Sequence, residues 1–179
     1  MSLKNFAILL LFTIFIMPLS IVSANSEKPT VAVMPFSDQS VRSGVVQQEY
    51  MNNLREEVEL EIVQTGKFRS LTRTEVDKLF NEINFDNSGL VDPETAAKFG
   101  KMIGARYLVL GTVTGLGAKK NNQYNAHVTL RMIEVETAEI YLAGRGEGKA
   151  KKDPFEALQK AVNDALNGQR GMLTMLRKN

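Results

Sequence analysis

The sequence contains no cysteine and no tryptophan, and its 179 residues include a single histidine. Without cysteine there can be no disulfide, no thiolate metal site and no cysteine nucleophile. The cysteine that carries the lipid of a bacterial lipoprotein is also missing. We therefore expect a domain held together by its hydrophobic core alone, and the chain is long enough to bury one.

The sequence also lacks an excess of charge of either sign. It has 22 Lys and Arg residues against 20 Asp and Glu residues. Domains that bind nucleic acid usually carry a clear basic excess. The composition therefore predicts no nucleic-acid partner.

The first two dozen residues predict a secretory signal peptide over residues 1–24. Lys4 gives a positive start, residues 6–17 form an apolar run, and Val22, Ser23 and Ala24 precede the expected cut. The apolar run is short for a membrane-spanning helix, which needs about 20 residues. We predict cleavage between Ala24 and Asn25 and a single domain over residues 25–179, with an uncleaved anchor as the alternative.

The remaining sequence alternates between helix and strand patterns around residues 104–115, GARYLVLGTVTG. Apolar residues follow one another directly in this stretch, which predicts a strand covered on both faces. Further strands are predicted at 30–36, 68–71, 124–132 and 139–149, and helices at 46–65 and from Thr72, Asp92 and Asp153. The pattern predicts an α/β fold, a small mixed sheet with helices packed on it.

Two shorter signals add detail to this prediction. Thr72 and Glu75 have the spacing of a helix capping box. Gly144, Gly146 and Gly148 share one face of a predicted strand, and we expect them to let a helix approach the sheet closely.

Two polar segments are candidates for a partner-binding surface. One is the turn-rich loop at residues 37–44, and the other is the acidic face of the helix at 46–65. A charge run on a helix is usually only a solvated face, which is the alternative interpretation. The candidate residues are Ser37, Asp38, Gln39, Arg42, Glu49, Glu56 and Glu57.

No catalytic or cofactor-binding constellation emerges from the motifs. His127 falls on the polar face of a predicted strand, without the partners that a nucleophilic serine requires. The segment from Gly115 to Gly117 lacks the third glycine of a dinucleotide loop, and Ala150 stands where a phosphate-binding loop needs Ser or Thr. We therefore predict no catalytic residue and no cofactor.

Residues 84–95 resemble the first part of a calcium-binding loop. Candidate oxygen ligands occur at Asn84, Asp86, Ser88 and Asp92, but Thr95 stands where the bidentate Glu is required. We therefore predict a turn followed by a helix cap at this place, and no metal site.

Four segments together resemble the CsgG family. They are VAVMPF (31–36), TGKFRSLTRTEVDKLFNE (65–82), SGLVDPETAAKFGKMIGARYLVLGTVTG (88–115) and IEVETAEIY (133–141). The resemblance implies a periplasmic α/β domain that takes part in an assembly. The best-known member of the family is the outer-membrane secretion channel for curli subunits.

The chain departs from that channel in two respects. It has no lipid-bearing cysteine, and residues 115–123 and the stretch after Leu142 are too polar or glycine-rich to replace the channel's two long membrane-inserted hairpins. We therefore expect a non-enzymatic accessory or binding protein of the periplasm, working in cell-envelope assembly or secretion with at most peripheral membrane association. Its partners would be envelope or secretion-system proteins or further copies of itself.

Two other functions remain open at this point. The first alternative is an oligomeric outer-membrane secretion-channel component of the curli type, and the second is a small hydrolase or ligand-binding enzyme. A detergent-resistant ring would favour the channel component. A cleft with clustered titratable groups would favour the enzyme.

Overall fold

The computed structural model describes residues 27–40, 46–83, 92–119 and 122–178. The predicted leader with its cleavage site at Ala24 and Asn25, the candidate surface residue Arg42, and most of the calcium-loop-like stretch lie outside the described residues.

The described residues form six strands and five helices. The strands are β1 (Thr30–Val33), β2 (Ser37–Asp38), β3 (Arg69–Ser70), β4 (Tyr107–Lys119), β5 (Gln123–Glu134) and β6 (Glu139–Lys151). The helices are α1 (Gln48–Gln64), α2 (Arg73–Glu82), α3 (Pro93–Ile103), α4 (Pro154–Asn167) and α5 (Met172–Lys178).

All six strands belong to one mixed sheet in the order β3-β1-β4-β5-β6, with β2 also paired to β4. The contacts of β1 with β3 and β4, and of β2 with β4, are parallel. The contacts of β5 with β4 and β6 are antiparallel. The predicted fold class, a small mixed sheet with helices packed on it, is confirmed.

The central strand β4 is covered on both faces along its first half, as its continuous apolar sequence predicts. Tyr107 and Val109 point into a core shared with α1, α4 and α5. Leu108 and Leu110 point into a second core built with α2 and α3. The strand can be apolar on consecutive residues because each face has its own helical layer.

The three glycines of β6 hold α4 directly against the sheet, which confirms their predicted role. A Cβ atom at Gly146 would overlap the carbonyl oxygen of Ala161, and the same relation joins Gly144 to Ala165 and Gly148 to Ala157. Two residues of a strand advance about 6.7 Å and four residues of a helix about 6.0 Å, so the two spacings nearly match. The helix and strand backbones can therefore stay in contact over their shared length.

The predicted helix signals are also confirmed. Thr72 and Glu75 form a capping box at the start of α2. Gly104 ends α3 with a φ of 69°, in the left-handed region that favours glycine. None of the helices in the described part of the chain is long and apolar enough to cross a membrane.

The structure differs from the predicted elements in three places. β1 ends at Val33, before Pro35, and the chain then forms the separate short strand β2. β4 continues to Lys119, so most of the predicted polar turn at 115–123 is strand, because β5 pairs with it residue by residue. Near the C-terminus, where no element is predicted, the chain forms helix α5, which buries Met172, Leu173 and Leu176 against the core.

Candidate functional site

The exposed stripe of α1 is acidic at its N-terminal end and apolar at its C-terminal end. Glu49 and Glu56, two of the candidate surface residues, are exposed. Leu60 and Val63 follow Glu56 by four and seven residues, which places all three on one side of the helix. These two apolar side chains are 55% and 40% exposed. The surface is therefore not the purely acidic face that the sequence suggests.

An open groove of about 740 Å³ lies between this stripe and β3. Leu60, Val63 and Phe68 line it with apolar surface, and Glu56 and Glu59 line it with carboxylates. Its remaining lining residues are Lys28, Arg69 and Ser70. The groove combines an apolar floor with a few charged groups, which is the composition typical of binding sites.

Glu59 joins the helix to the strand across this groove. Its Oε1 accepts a hydrogen bond from the Ser70 hydroxyl, at a distance of 2.5 Å between the oxygens. On the opposite side of the strand, Arg69 forms an ion pair with Glu27 at 3.4 Å. Glu56 has no ion-pair partner among the residues that the structure describes.

Glu57 is the third predicted surface residue of α1, and it is half-buried. Burial raises the pKa of its carboxyl above the ordinary value, and the nearby charge of Glu61 raises this pKa further. A carboxylate that is held where its charge is disfavoured destabilises the free protein slightly. A cation supplied by a partner would stabilise the ionised form of this carboxylate.

The described candidates of the predicted loop surface, Ser37, Asp38 and Gln39, do not line this groove. Ser37 belongs to β2 and is buried, and its hydroxyl donates a hydrogen bond to Thr112 Oγ1 at 3.1 Å. Asp38 and Gln39 are half-buried beside it, and Asp38 accepts a hydrogen bond from the backbone of Ser40. The expectation that Ser37 lies in an exposed loop is wrong, because pairing with β4 draws this segment into the sheet.

Arg55 is a buried charged residue that connects several elements, and the sequence patterns above do not single it out. Its side chain is 3% exposed, its Nε donates to the carbonyl of Val33 at 2.7 Å, and its Nη1 bonds Asp77 of α2. The neighbouring strand β3 ends before it reaches that carbonyl, so the guanidinium takes the place of a ladder hydrogen bond. Arg55 therefore ties α1 and α2 to the edge of the sheet that carries the groove.

In the part of the chain that the structure describes, the residues with possible catalytic or metal chemistry lie elsewhere and do not form a cluster. His127 is on the exposed face of β5, with Nδ1 at 3.8 Å from Glu147 Oε1. The glycines of the two loop-like motifs lie within β4 and β6, not in loops. Among the described residues, no group of three or more His, Asp or Glu side chains could hold a metal ion.

Asp92 caps helix α3, as predicted. Its carboxylate accepts hydrogen bonds from the Thr95 hydroxyl at 2.7 Å and the Thr95 backbone N–H at 2.9 Å. The hydroxyl bond, followed by the backbone bond, lowers the pKa of Asp92. Both oxygens are thus engaged in the cap.

Three solved structures resemble this fold over most of the chain. The lipoprotein GNA1162 from Neisseria meningitidis has a TM-score of 0.54 at 14% identity, with 84% of this chain and 96% of that chain covered. The hypothetical protein CT253 from Chlamydia trachomatis has a TM-score of 0.52 at 11% identity, with 83% and 99% covered. The PelC dodecamer from Paraburkholderia phytofirmans has a TM-score of 0.51 at 11% identity, with 81% and 92% covered.

At such low identities these likenesses establish the fold and nothing beyond it. A comparison with curated proteins gives no match. The model of one protein family, described as curli production assembly/transport component CsgG, matches residues 17–171. This match takes in all of the sheet and helices α1 to α4, and the chain belongs to the CsgG family.

Proposed function

We propose that this chain is a non-enzymatic accessory protein of cell-envelope assembly or secretion that works by binding another protein. The observation that carries the proposal is the groove between α1 and β3, with Leu60 and Val63 exposed in it. Family membership supports the process, since the family model describes an assembly and transport component. The predicted export signal supports a periplasmic location, with at most peripheral association with the outer membrane.

The apolar part of the groove supports protein binding, because covering exposed apolar side chains removes them from water and so favours the complex. Burying apolar surface contributes roughly 25 cal/mol per Å², so the two exposed aliphatic side chains of Leu60 and Val63 can anchor a partner. An aromatic or aliphatic anchor within a groove, bordered by polar groups, is one arrangement that supports a protein interface.

The test places a photo-crosslinking amino acid at Leu60 and, separately, at Met102. Met102 is a matched control because it is 59% exposed but lies on α3, which packs on the opposite face of the sheet. We expect an envelope protein to crosslink to the chain at position 60 and not at position 102.

The captured protein is then purified and its affinity is measured for wild type, Leu60→Glu and Met102→Glu. We expect Leu60→Glu to weaken binding by about tenfold or more, as is typical for an interface anchor, while Met102→Glu leaves affinity unchanged. Equal affinities for both variants, or crosslinking at position 102 only, would contradict the proposal.

A further inference from the structure

The edge strand β3 presents free backbone groups to the groove. The Arg69 N–H donates to the Pro29 carbonyl at 3.0 Å, and the Leu71 N–H donates to the Val31 carbonyl at 2.9 Å. In a strand ladder, consecutive residues direct their backbone groups to opposite sides. The N–H and C=O of Ser70 therefore point away from β1, toward the open edge of the sheet.

The open edge and the exposed helix stripe border the same groove. Ser70 and Phe68 lie on the strand side, and Leu60 and Val63 lie on the helix side. The groove therefore offers main-chain hydrogen bonds next to apolar surface. This combination is how sheets accept an added strand from a partner, with the backbone bonds giving affinity and alternate side chains giving specificity.

We propose that the β3 edge binds an extended segment of a partner protein as an additional strand, with apolar side chains against Leu60 and Val63 and a Lys or Arg beside Glu56. This inference rests on the proposed function, for which it names the conformation and the chemistry of the partner.

An extended segment fits the groove better than a helix does. A docked helix has satisfied its own backbone, so it would leave the outward N–H and C=O of Ser70 without partners. An extended segment has unpaired donors and acceptors at the matching spacing. Because β3 has only two residues, the paired segment is short, and apolar contacts with α1 must supply much of the affinity.

The charges around the groove select a basic segment. Glu56 is exposed and has no ion-pair partner in the described part of the chain. Two cations also line the groove, of which Arg69 is paired with Glu27 and Lys28 follows that glutamate directly in the chain. The three carboxylates of Glu27, Glu56 and Glu59 therefore outnumber the cations. Glu59 adds a second carboxylate, of which one oxygen is used by Ser70. An acidic segment would meet repulsion from Glu56 and Glu59, while a cation at that end would be attracted.

The experiment selects random heptapeptides displayed on phage against the mature chain, without assuming any partner. We expect enriched sequences to alternate apolar residues and to contain Lys or Arg. The best of them is synthesised, and its affinity is measured for wild type, Ser70→Pro and Ser70→Ala.

Ser70→Pro removes the outward N–H and leaves the Arg69 and Leu71 bonds to β1 available, and edge strands tolerate proline. Ser70→Ala is the matched control, because it loses the hydroxyl bond to Glu59 but keeps the N–H. We expect about a tenfold loss of affinity for Ser70→Pro and little change for Ser70→Ala. If Ser70→Pro fails to fold, the peptide is instead N-methylated at alternate residues, which should abolish binding to the wild-type chain.

Several results would overturn the inference. The first is the absence of any enriched peptide, and the second is enrichment of acidic peptides. The third is equal peptide affinity of the Ser70→Pro and Ser70→Ala variants together with retained binding of N-methylated peptides. The fourth is a dimer of this chain that Ser70→Pro dissociates. If the peptide experiment fails while position 60 still crosslinks an envelope protein, the binding mode is wrong and the proposed function stands.

Discussion

At the scale of single residues, Arg55 shows how one side chain holds the groove in place. It is charged and buried, it bonds Val33 of β1 and Asp77 of α2, and its own helix forms one wall of the groove. Asp77 is also approached by Arg73, at 3.5 Å. A buried charge of this kind is strongly destabilising once its counter-charge is removed.

We predict that Asp77→Ala lowers the free energy of unfolding by about 2–3 kcal/mol, since it leaves the Arg55 guanidinium buried without its partner carboxylate. The estimate lies at the lower end for buried pairs because Asp77 is 36% exposed and partly screened. Urea unfolding measures the change. Arg73→Ala, the control, removes a half-exposed cation and keeps the Arg55–Asp77 pair, so it should cost less than about 1 kcal/mol. Equal effects of the two substitutions would refute the role given to Arg55.

A second prediction concerns Glu57, whose pKa burial raises above 4.5. Because the folded state holds the proton more tightly than the unfolded state, ionisation of Glu57 costs stability at neutral pH. Glu57→Gln should therefore stabilise the protein at pH 7, by roughly 0.5 kcal/mol after allowance for solvent screening. The gain should disappear as the pH falls below 4.5, where both states are protonated.

Thermal unfolding at pH 7 and pH 4 tests this prediction for Glu57. Glu49→Gln is the control, since Glu49 lies in the first turn of α1, where a negative charge interacts favourably with the helix dipole. That variant should be neutral or slightly less stable at pH 7. A Glu57→Gln protein that is less stable than wild type at pH 7 would show that the carboxylate is favourable in the free chain.

At the scale of elements, the contact between β6 and α4 determines how closely the helix approaches the sheet. Three glycines face three alanines, and the backbone atoms themselves are in contact. A surface of this kind has no room for a methyl group, because neither the strand nor the helix backbone can move aside independently.

We predict that Gly146→Ala destabilises the protein by about 1–3 kcal/mol, the usual cost of forcing a group into a filled core. The added Cβ would meet the backbone of α4 at Ala161 and Ala165. Gly117→Ala is the control, since a Cβ at that position in β4 meets no atom within 4 Å. It should be neutral or slightly stabilising, because alanine loses less backbone entropy on folding than glycine does. Chemical denaturation measures the free energy of unfolding of both variants. A Gly146→Ala variant as stable as wild type would show that α4 does not contact the strand backbone.

At the scale of the whole molecule, the groove lies at one edge of the sheet and β6 forms the other edge. The long edge strand β6 is partly blocked by α4, because the Glu147 N–H donates to Asp164 and the Lys149 carbonyl accepts from Lys160. Side chains that occupy edge groups in this way discourage further strands from pairing. At the β3 edge, the Ser70 hydroxyl bonds the Glu59 carboxylate, but the backbone N–H of Ser70 still points outward and can pair with a partner strand.

We therefore predict that the mature chain without its partner is a soluble species of one or two copies. Light scattering after separation of periplasmic and membrane fractions measures the native mass. A large ring recovered only from the membrane fraction with detergent would contradict this prediction. It would favour the alternative function, a secretion-channel component of the curli type.

A structural feature is predictable from the sequence to the extent that it depends on neighbouring residues. The cap of α2, the left-handed stop at Gly104 and the two-faced strand β4 were predictable, because each depends on residues close together in the chain. Arg55 was predictable too, since it follows Met51 by four residues and precedes Val58 by three, which places it on the inner face of α1. The acidic residues around it drew attention to the outer face.

What the sequence by itself determined is helices α1 to α4, the strands other than β2, and their packing faces, because helix and strand periodicities and glycine positions are local properties. What only the tertiary structure decided is the groove. It forms where residues 56–63 of α1 meet Phe68 and strand β3. Its polar edge exists because β3 is the last strand of the sheet among the described residues. The burial of Ser37 and the docking of α5 have the same origin. Each depends on which surfaces meet in space, and no local pattern in the chain encodes that.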